Sequence, residues 1–264
     1  MKITELIVKF DLKNQFQVLV DSYKQVEYAW NNVFDLLGLQ NSKFNLVVNA
    51  GMGGSAISGD LIPEFLGDEL RIPFIVNRSY SLPNFVDENS LVIISSYSGN
   101  TEESLSVFEE ALKRKCKIAA ITSGGQVKKI CHEKKLCCIN IPSGYQPRYA
   151  LGLGFFSLLK LLQQLGIVEN QDNIVKQIIT LWEKKGEEYS IEENRALSLA
   201  AELTGFLPII YSAAQLTSAA GYRFKCQLNE NSKQHAFSNI IPELNHNEII
   251  GWETFEEKNM ITKV

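Results

Sequence analysis

The chain has 264 residues, of which 45% are hydrophobic and 21% are charged, and its formal net charge is -4. That is enough apolar material for one large α/β domain or for two smaller packed domains. The sequence contains no block of basic residues, so it lacks the cationic surface that nucleic acid or an anionic membrane requires, and we expect neither as a partner.

The cysteine content and the apolar stretches indicate a cytoplasmic protein. The five cysteines are odd in number and include no C-x-x-C pair, so neither a disulfide framework nor a zinc ribbon is expected. Charges interrupt residues 1–20 every few positions, unlike the continuous apolar core of a secretory signal. The apolar stretch 151–168 contains Lys160, Gln163 and Gln164, which indicates a buried helix.

The first part of the chain has the pattern of a three-layer α/β domain. Apolar residues at helical spacing predict a helix from about Gln15 to Leu37. Short β-rich runs then alternate with helical patterns: strands at 44–50, 72–77, 91–97, 117–123 and 136–142, and helices near 55–65, 101–115 and 126–134. Such alternation predicts right-handed βαβ crossovers and a mostly parallel sheet with helices on both faces.

The later part of the chain changes character twice. From Leu151 to about Ala200 the pattern is mainly helical, and strand and helix patterns then return at 207–213, 216–229 and 235–243. We therefore expect a first domain over 1–150 that includes the amino-terminal helix, bridging helices over 151–200, and a partial second α/β domain over 201–264.

A glycine-rich turn, 51–55, lies between the first predicted strand and the helix that follows. Open backbone N–H groups and a helix amino terminus would there face the carboxyl edge of the sheet, where ligands bind. The turn also matches a dinucleotide fingerprint, but the next strand ends in Asn77 and Arg78 where an acidic residue is needed to hold a ribose. Arg78 leaves an NADP site open, and glycines needed only for tight packing remain a third interpretation.

A second turn, Ser96-Tyr97-Ser98-Gly99-Asn100-Thr101, follows an apolar strand and leads into a helix. Three hydroxyls, a glycine able to take positive φ and the N–H groups of a helix terminus suit a dianionic phosphate without lysine. The sequence has no G-x-x-x-x-G-K-[ST] motif, so the phosphate fits a small substrate better than ATP. A plain helix cap by Asn100 or Thr101 is the alternative, and it leaves Ser96 and Ser98 unexplained.

The segments GMGGSA and SYSGNT, in that order and about one βαβ unit apart, resemble the two signatures of sugar isomerase (SIS) domains. Gln146-Pro147-Arg148, Asn229-Glu230-Asn231 and Glu243-x-x-His246-Asn247 resemble the bifunctional phosphoglucose/phosphomannose isomerases in particular. The resemblance runs from about Asn45 to the end of the chain. It implies a flavodoxin-like SIS domain followed by a second SIS domain, and conversion of glucose 6-phosphate to fructose 6-phosphate, with mannose 6-phosphate as a further candidate substrate.

The resemblance also assigns roles to residues. It implies sugar contacts from Gly53, Gly54 and Ser55, and phosphate contacts from Ser96, Ser98 and Thr101. Glu230 stands at the family's catalytic base, His246 at the acid that opens the pyranose ring, and Arg148 at the cation beside the enediolate. Without the motifs, Glu230 would be interpreted as a surface charge and His246 as a structural histidine, and for Arg148 a lone surface arginine would be an equal alternative. In the family this histidine comes from the partner subunit, which implies a homodimer with shared sites.

Aldose–ketose isomerisation by hydride shift requires a metal, and the sequence has no His/Asp/Glu cluster at ligand spacing. We therefore expect proton transfer, with no metal or redox cofactor. Family members continue past the histidine motif to a lysine that contributes to the site. This chain stops at Val264, and Lys263 is too close to His246 to be that lysine, so we expect a shortened relative or an incomplete reading frame.

Two other functions remain open on the sequence. A protein that kept the phosphate pocket but lost catalysis would bind or sense a sugar phosphate, although no DNA-binding segment accompanies the turns. An NADP-dependent oxidoreductase would use the glycine turn at 51–55. Turnover of a hexose phosphate favours the isomerase, binding without turnover favours the sensor, and tight NADP binding favours the oxidoreductase.

Overall fold

The computed structural model describes residues 2–253. The chain forms two compact units, residues 1–192 and 193–264. The boundary between them falls inside the segment 151–200, which the sequence predicts to bridge two domains. The part of the predicted second domain beyond residue 253, including Lys263, lies outside the described residues.

The first unit is built on a five-stranded parallel sheet of order β2-β1-β3-β4-β5. Its strands are β1 (Leu46–Ala50), β2 (Phe74–Asn77), β3 (Ser90–Ser95), β4 (Lys117–Thr122) and β5 (Cys137–Asn140). Every residue of β1 and of β3 is buried, as expected for central strands covered on both faces. The flavodoxin-like order confirms the predicted fold class, and it places the topological switch point between β1 and β3.

Helices cover both faces of this sheet. The helices of the first unit are α1 (Ile3–Phe10), α2 (Gln15–Val20), α3 (Ser22–Asn31), α4 (Gly53–Leu66), α5 (Glu102–Lys113), α6 (Gly125–Lys134), α7 (Leu151–Gln164) and α8 (Asp172–Glu188). Val47 packs in a core with residues of α3, α4, α7 and α8, whereas its neighbour Val48 packs with residues of α5 and α6. Alternate side chains of each strand therefore enter two different cores, which confirms the three-layer arrangement.

The predicted helix from Gln15 to Leu37 is wrong in its extent. Helix α2 ends before Asp21, α3 ends at Asn31, and Asn32 has an extended backbone. Phe34 and Leu36 still pack against the core from the non-helical segment beyond Asn32. The apolar spacing beyond Asn31 does not mark a buried helix face, because Val33 is 87% exposed and Leu37 is 44% exposed.

Helix α7 is buried along most of its length, which confirms that the apolar stretch 151–168 includes a core helix. It packs against α3 and α4, and α8 also packs against α3, so both helices belong to the first unit. Within residues 2–253, no helix combines the length and the hydropathy needed to cross a membrane.

The second unit contains the strand–helix–strand pattern that the sequence predicts for it. Its elements are α9 (Arg195–Leu203), β6 (Ile209–Ala213), α10 (Ser218–Gln227), β7 (Phe237–Ile241) and α11 (Glu248–Gly251). Strands β6 and β7 pair in parallel, with Ile209 opposite Phe237. A π-helical turn, Leu228–Ser232, continues α10, and a 3-10 turn, Glu243–His246, follows β7.

Candidate active site

The glycine turn connects β1 to α4, and each of its glycines is suited to its position for a different structural reason. A Cβ on Gly51 would lie 2.6 Å from the carbonyl oxygen of Ser95, so Gly51 allows β1 and β3 to end close together. Gly53 has φ +49° and nothing within 4 Å of an added Cβ. Gly53 is thus left-handed and faces open space, which suits the close approach of a ligand to the backbone.

Gly54 lies against the loop that carries Arg148. A Cβ on Gly54 would lie 2.9 Å from the carbonyl oxygen of Pro147 and 3.3 Å from the amide nitrogen of Arg148. Arg148 is half-buried on the 3-10 turn Pro147–Tyr149, and its guanidinium carbon lies 5.6 Å from the ring centroid of Tyr149. The fold therefore brings Arg148 next to the turn predicted to hold the sugar.

The second turn, Ser96–Thr101, is ordered by its own side chains. The hydroxyls of Ser96 and Thr101 are hydrogen-bonded at 3.1 Å, and the Ser98 hydroxyl accepts from the amide of Asn100 at 3.3 Å. Gly99 has φ +68°, and an added Cβ would lie 1.9 Å from the carbonyl oxygen of Gly124. Only glycine fits there, so the turn is fixed with its hydroxyls beside the amino terminus of α5.

The two turns meet at the switch point of the sheet. Strands β1 and β3 are neighbours, and the amide of Tyr97 donates to the Ser55 hydroxyl at 3.2 Å. In open α/β sheets the crevice at this point is where ligands bind. The residues predicted to contact the sugar and those predicted to contact the phosphate are therefore neighbours within the first unit.

A pocket opens between the two turns and the Arg148 loop. It is lined by Gly54, Ser55, Ser58, Ser95, Tyr97, Ile121, Ile141, Pro147, Ala150 and Gly154. Ser58, which was not predicted from the sequence, is 2% exposed, and its hydroxyl has no hydrogen-bond partner among residues 2–253. Its spacing of one helical turn from Ser55 was the available signal, because residues at i and i+3 share a helix face.

Glu230 lies on the π-helical turn of the second unit, where its side chain is exposed. Lys233 donates from its ammonium group to the Glu230 carbonyl oxygen at 2.8 Å. Burial lowers the pKa of the Arg223 guanidinium, and electrostatic interactions with Cys226 and Glu230 oppose that effect. Single π-helical turns are frequent at functional sites, and neither this turn nor Arg223 was predicted from the sequence.

His246 closes the 3-10 turn after β7, and its side chain is exposed. Glu243 and Asn247, the other two residues of its motif, are hydrogen-bonded to each other. The side-chain amide of Asn247 donates to the Glu243 carboxylate at 3.0 Å. Glu243 and Asn247 thus stabilise the turn on which His246 is presented. Glu230 and His246 belong to the second unit, whereas the two turns and Arg148 belong to the first.

The residues that a dinucleotide site would use are engaged in other contacts. Arg78, the candidate for a 2′-phosphate, forms an ion pair with Asp60 of α4. Burial raises the pKa of Asp60, and Arg78 opposes the rise. The side-chain amide of Asn77 donates to the carbonyl oxygen of Ser81 at 3.1 Å. An NADP phosphate would have to displace the Asp60 carboxylate, so the arrangement disfavours the oxidoreductase.

No group of three or more His, Cys, Asp or Glu side chains able to hold a metal ion occurs in the described part of the chain.

Solved structures place this fold in a class. The C-terminal domain of glucosamine-fructose-6-phosphate aminotransferase from Francisella tularensis has a TM-score of 0.65 at 15% identity, covering 90% of this chain and 73% of that domain. Glucosamine-6-phosphate deaminase from Thermotoga maritima has a TM-score of 0.62 at 16% identity, covering 88% and 71%. At these identities the likeness establishes the fold alone. Residues 192–264 match the model of the bacterial phospho-glucose isomerase C-terminal SIS domain, so the chain is a SIS-domain protein.

Sequence relatives define the family within that class. A bifunctional phosphoglucose/phosphomannose isomerase from Caldicellulosiruptor bescii is 47% identical over 79% of this chain and 62% of its own length. One from Aquifex aeolicus is 37% identical over 90% of this chain and 72% of its own length. The chain belongs to the family of bifunctional phosphoglucose/phosphomannose isomerases, and it spans about two thirds of the length of these two relatives. A D-glucosamine-6-phosphate 4-epimerase from Sulfolobus acidocaldarius is 34% identical over 75% of the chain and 61% of its own length.

Proposed function

We propose that this protein interconverts glucose 6-phosphate, and also mannose 6-phosphate, with fructose 6-phosphate by moving one proton between C2 and C1. The observation that carries the proposal is the meeting of the glycine turn and the hydroxyl-rich turn, joined by the hydrogen bond from Tyr97 to Ser55. Membership of the isomerase family supports a hexose phosphate as the substrate.

The second turn binds the phosphate of the substrate. Ser96, Ser98 and Thr101 offer hydroxyls, and the first-turn N–H groups of α5 have no partner within their own helix. Uncharged donors of this kind can stabilise a dianion together with the helix dipole. The sugar then lies toward Gly53, Gly54 and Ser55, beside the loop of Arg148.

The chemistry follows from three side chains. His246 donates a proton to the ring oxygen O5 as the C1–O5 bond breaks, and the O1 hydroxyl releases its proton to water, so that the pyranose opens to the free aldehyde. Glu230 removes the C2 proton as a carboxylate and returns it to C1, while a proton moves from O2 to O1 and the cis-enediolate forms between the two steps. The permanently charged guanidinium of Arg148 stabilises the enediolate oxygens.

We propose further that the protein acts in the cytoplasm as a homodimer whose sites are shared. The exposure of Glu230 and His246 in the second unit supports a site that another copy completes. All five cysteines are free thiols, as a reducing compartment requires.

The test is to incubate the pure protein with fructose 6-phosphate in deuterated water and to follow the products by NMR. We expect glucose 6-phosphate and mannose 6-phosphate to form with deuterium at C2, because the base exchanges its proton with solvent. Glu230→Gln should abolish the reaction. Glu202→Gln, at an exposed glutamate of α9, is the matched control and should keep it. Turnover that survives in Glu230→Gln would contradict the assigned base.

The alternatives give different results in the same experiment. Binding of fructose 6-phosphate with no turnover by the parent protein would favour a sugar-phosphate sensor. The epimerase relative supports a second candidate, inversion at C4 of D-glucosamine 6-phosphate, which is tested by adding that sugar and recording the C4 proton. Tight binding of NADP would support the oxidoreductase.

A further inference from the structure

The backbone of Tyr97 connects three segments at the switch point. Its amide donates to the hydroxyl of Ser55 in the glycine turn at 3.2 Å. Its carbonyl oxygen accepts from the amide of Ser123 at 3.0 Å and from the Ser123 hydroxyl at 2.6 Å, just after β4. Tyr97 itself belongs to the phosphate turn. Its main chain is therefore held between the sugar turn and the end of the next strand.

The side chain of Tyr97 reaches a fourth segment. Its hydroxyl donates to the carbonyl oxygen of Pro142 at 3.0 Å and accepts from the amide of Tyr145 at 2.8 Å. Burial raises the pKa of the Tyr97 phenol, an effect that the hydrogen bond from the Tyr145 amide partly offsets. The phenol thus stays protonated near neutral pH and can keep both bonds, one as donor and one as acceptor.

These two bonds hold the bend that leads to Arg148. The segment is anchored at its start, where the Ile141 amide donates to the carbonyl oxygen of Thr122, and at its end, where the Gln25 side-chain amide donates to the carbonyl oxygen of Tyr149 at 2.8 Å. Between the anchors the chain passes through residues 143 and 144, both of which are exposed. The Tyr97 hydroxyl joins the two arms of this bend on either side of the exposed residues.

The bend bears on the position of Arg148. Because Gly54 lies against the main chain of Pro147 and Arg148, a small displacement of the bend would change its contact with the glycine turn. Tyr97 is bonded on one side to the glycine turn and on the other to the bend. The phosphate itself needs only the hydroxyls and amides of the turn.

We propose that Tyr97 is a positioning residue, whose hydroxyl fixes the 142–145 bend and so places Arg148 against the glycine turn when the phosphate turn is occupied. This inference rests on the proposed isomerase. We expect the Tyr97 hydroxyl to affect the rate of the chemical step more than the affinity for the phosphate.

The variant Tyr97→Phe tests the role, because it keeps the aromatic ring and removes only the hydroxyl. With fructose 6-phosphate as substrate, we expect kcat to fall by about 10- to 100-fold, the loss that misplacement of a catalytic group by up to 1 Å can produce. KM should stay within about threefold, since the phosphate hydroxyls are unchanged. Tyr28→Phe, at an exposed tyrosine of α3, is the matched control and should match the parent in both constants.

Amide hydrogen exchange gives a readout that does not depend on turnover. In Tyr97→Phe the Tyr145 amide loses its acceptor, so its exchange should accelerate at least about tenfold, while amides of the buried strand β3 stay protected. Unchanged exchange at Tyr145, a kcat within twofold of the parent, or a raised KM with unchanged kcat would each overturn the proposal. A parent protein without turnover would refute the isomerase instead, and the exchange experiment would still decide whether the hydroxyl holds the bend.

Discussion

Replacing Gly54 with alanine tests how closely the glycine turn is packed against the Arg148 loop. The added Cβ would lie 2.9 Å from the carbonyl oxygen of Pro147, about half an ångström inside an ordinary contact. The obstructing atoms are main-chain atoms that cannot rotate away, so the Pro147–Tyr149 turn has to shift. Overpacking of this kind costs about 1–3 kcal/mol of stability. A shift of a few tenths of an ångström at Arg148 should lower kcat/KM on the order of tenfold.

The assay for Gly54→Ala combines urea unfolding with initial rates on fructose 6-phosphate. The matched control is Gly251→Ala, because a Cβ on Gly251 meets nothing within 4 Å and its φ is not left-handed. The control should keep the rate and the unfolding free energy of the parent within about 0.5 kcal/mol. If Gly54→Ala behaved like the control, the close contact between the two loops would not govern either quantity, and the reasoning would be refuted.

Two further predictions concern the phosphate turn and the half-buried ion pair between Glu110 and Arg114. Gly99→Ala places a Cβ 1.9 Å from the Gly124 carbonyl oxygen at a residue of positive φ, so it should lower the free energy of unfolding by about 2–4 kcal/mol. It should also lower the affinity for fructose 6-phosphate measured by calorimetry. An affinity equal to that of the parent would contradict this prediction. The Leu82 amide, and to a smaller extent Arg114, lower the pKa of Glu110 in the folded protein. The Glu110 carboxylate therefore stabilises the fold fully above its unfolded pKa of about 4.3. This stabilisation is lost as the pH falls through the lower pKa of the folded state. Glu110→Gln should therefore be less stable than the parent in urea at pH 7, with a smaller difference near pH 3; a difference independent of pH would contradict the assignment.

The sheet could be predicted from the sequence because its signals are local. The apolar run 91–95 is buried on both faces, and it is followed by a turn and a helical pattern. The amino-terminal helix was predicted less well, since apolar residues at helical spacing continue through Val33, Phe34 and Leu37 although the helix ends at Asn31. Periodicity does not by itself locate the residue where a helix ends.

The two turns could also be recognised, because each needs a particular residue at a particular place. Gly99 is left-handed and pressed against Gly124, and no other residue type fits there. The contacts between the turns could not be predicted. The hydroxyl of Tyr97 meets Pro142 across 45 positions of sequence, and Ser58 becomes part of the pocket only when α7 places Gly154 beside it.

The residues of the second unit show the same limit. The motif identified Glu230, but the predicted helix 216–229 ends just before it, and the π-helical turn that presents it was not expected. One additional residue per turn rotates the side chains that follow. Such a change depends on how the turn packs, and the sequence alone does not encode a recognisable signal for it.

A crystal structure of the protein with fructose 6-phosphate tests the central claim most directly. The account predicts the phosphate at the Ser96–Thr101 turn, with its oxygens within about 2.5–3.2 Å of the Ser96, Ser98 and Thr101 hydroxyls and of main-chain amides at the start of α5. The sugar should extend toward Gly53. A phosphate held by lysine or arginine elsewhere on the protein, with this turn empty, would contradict the account.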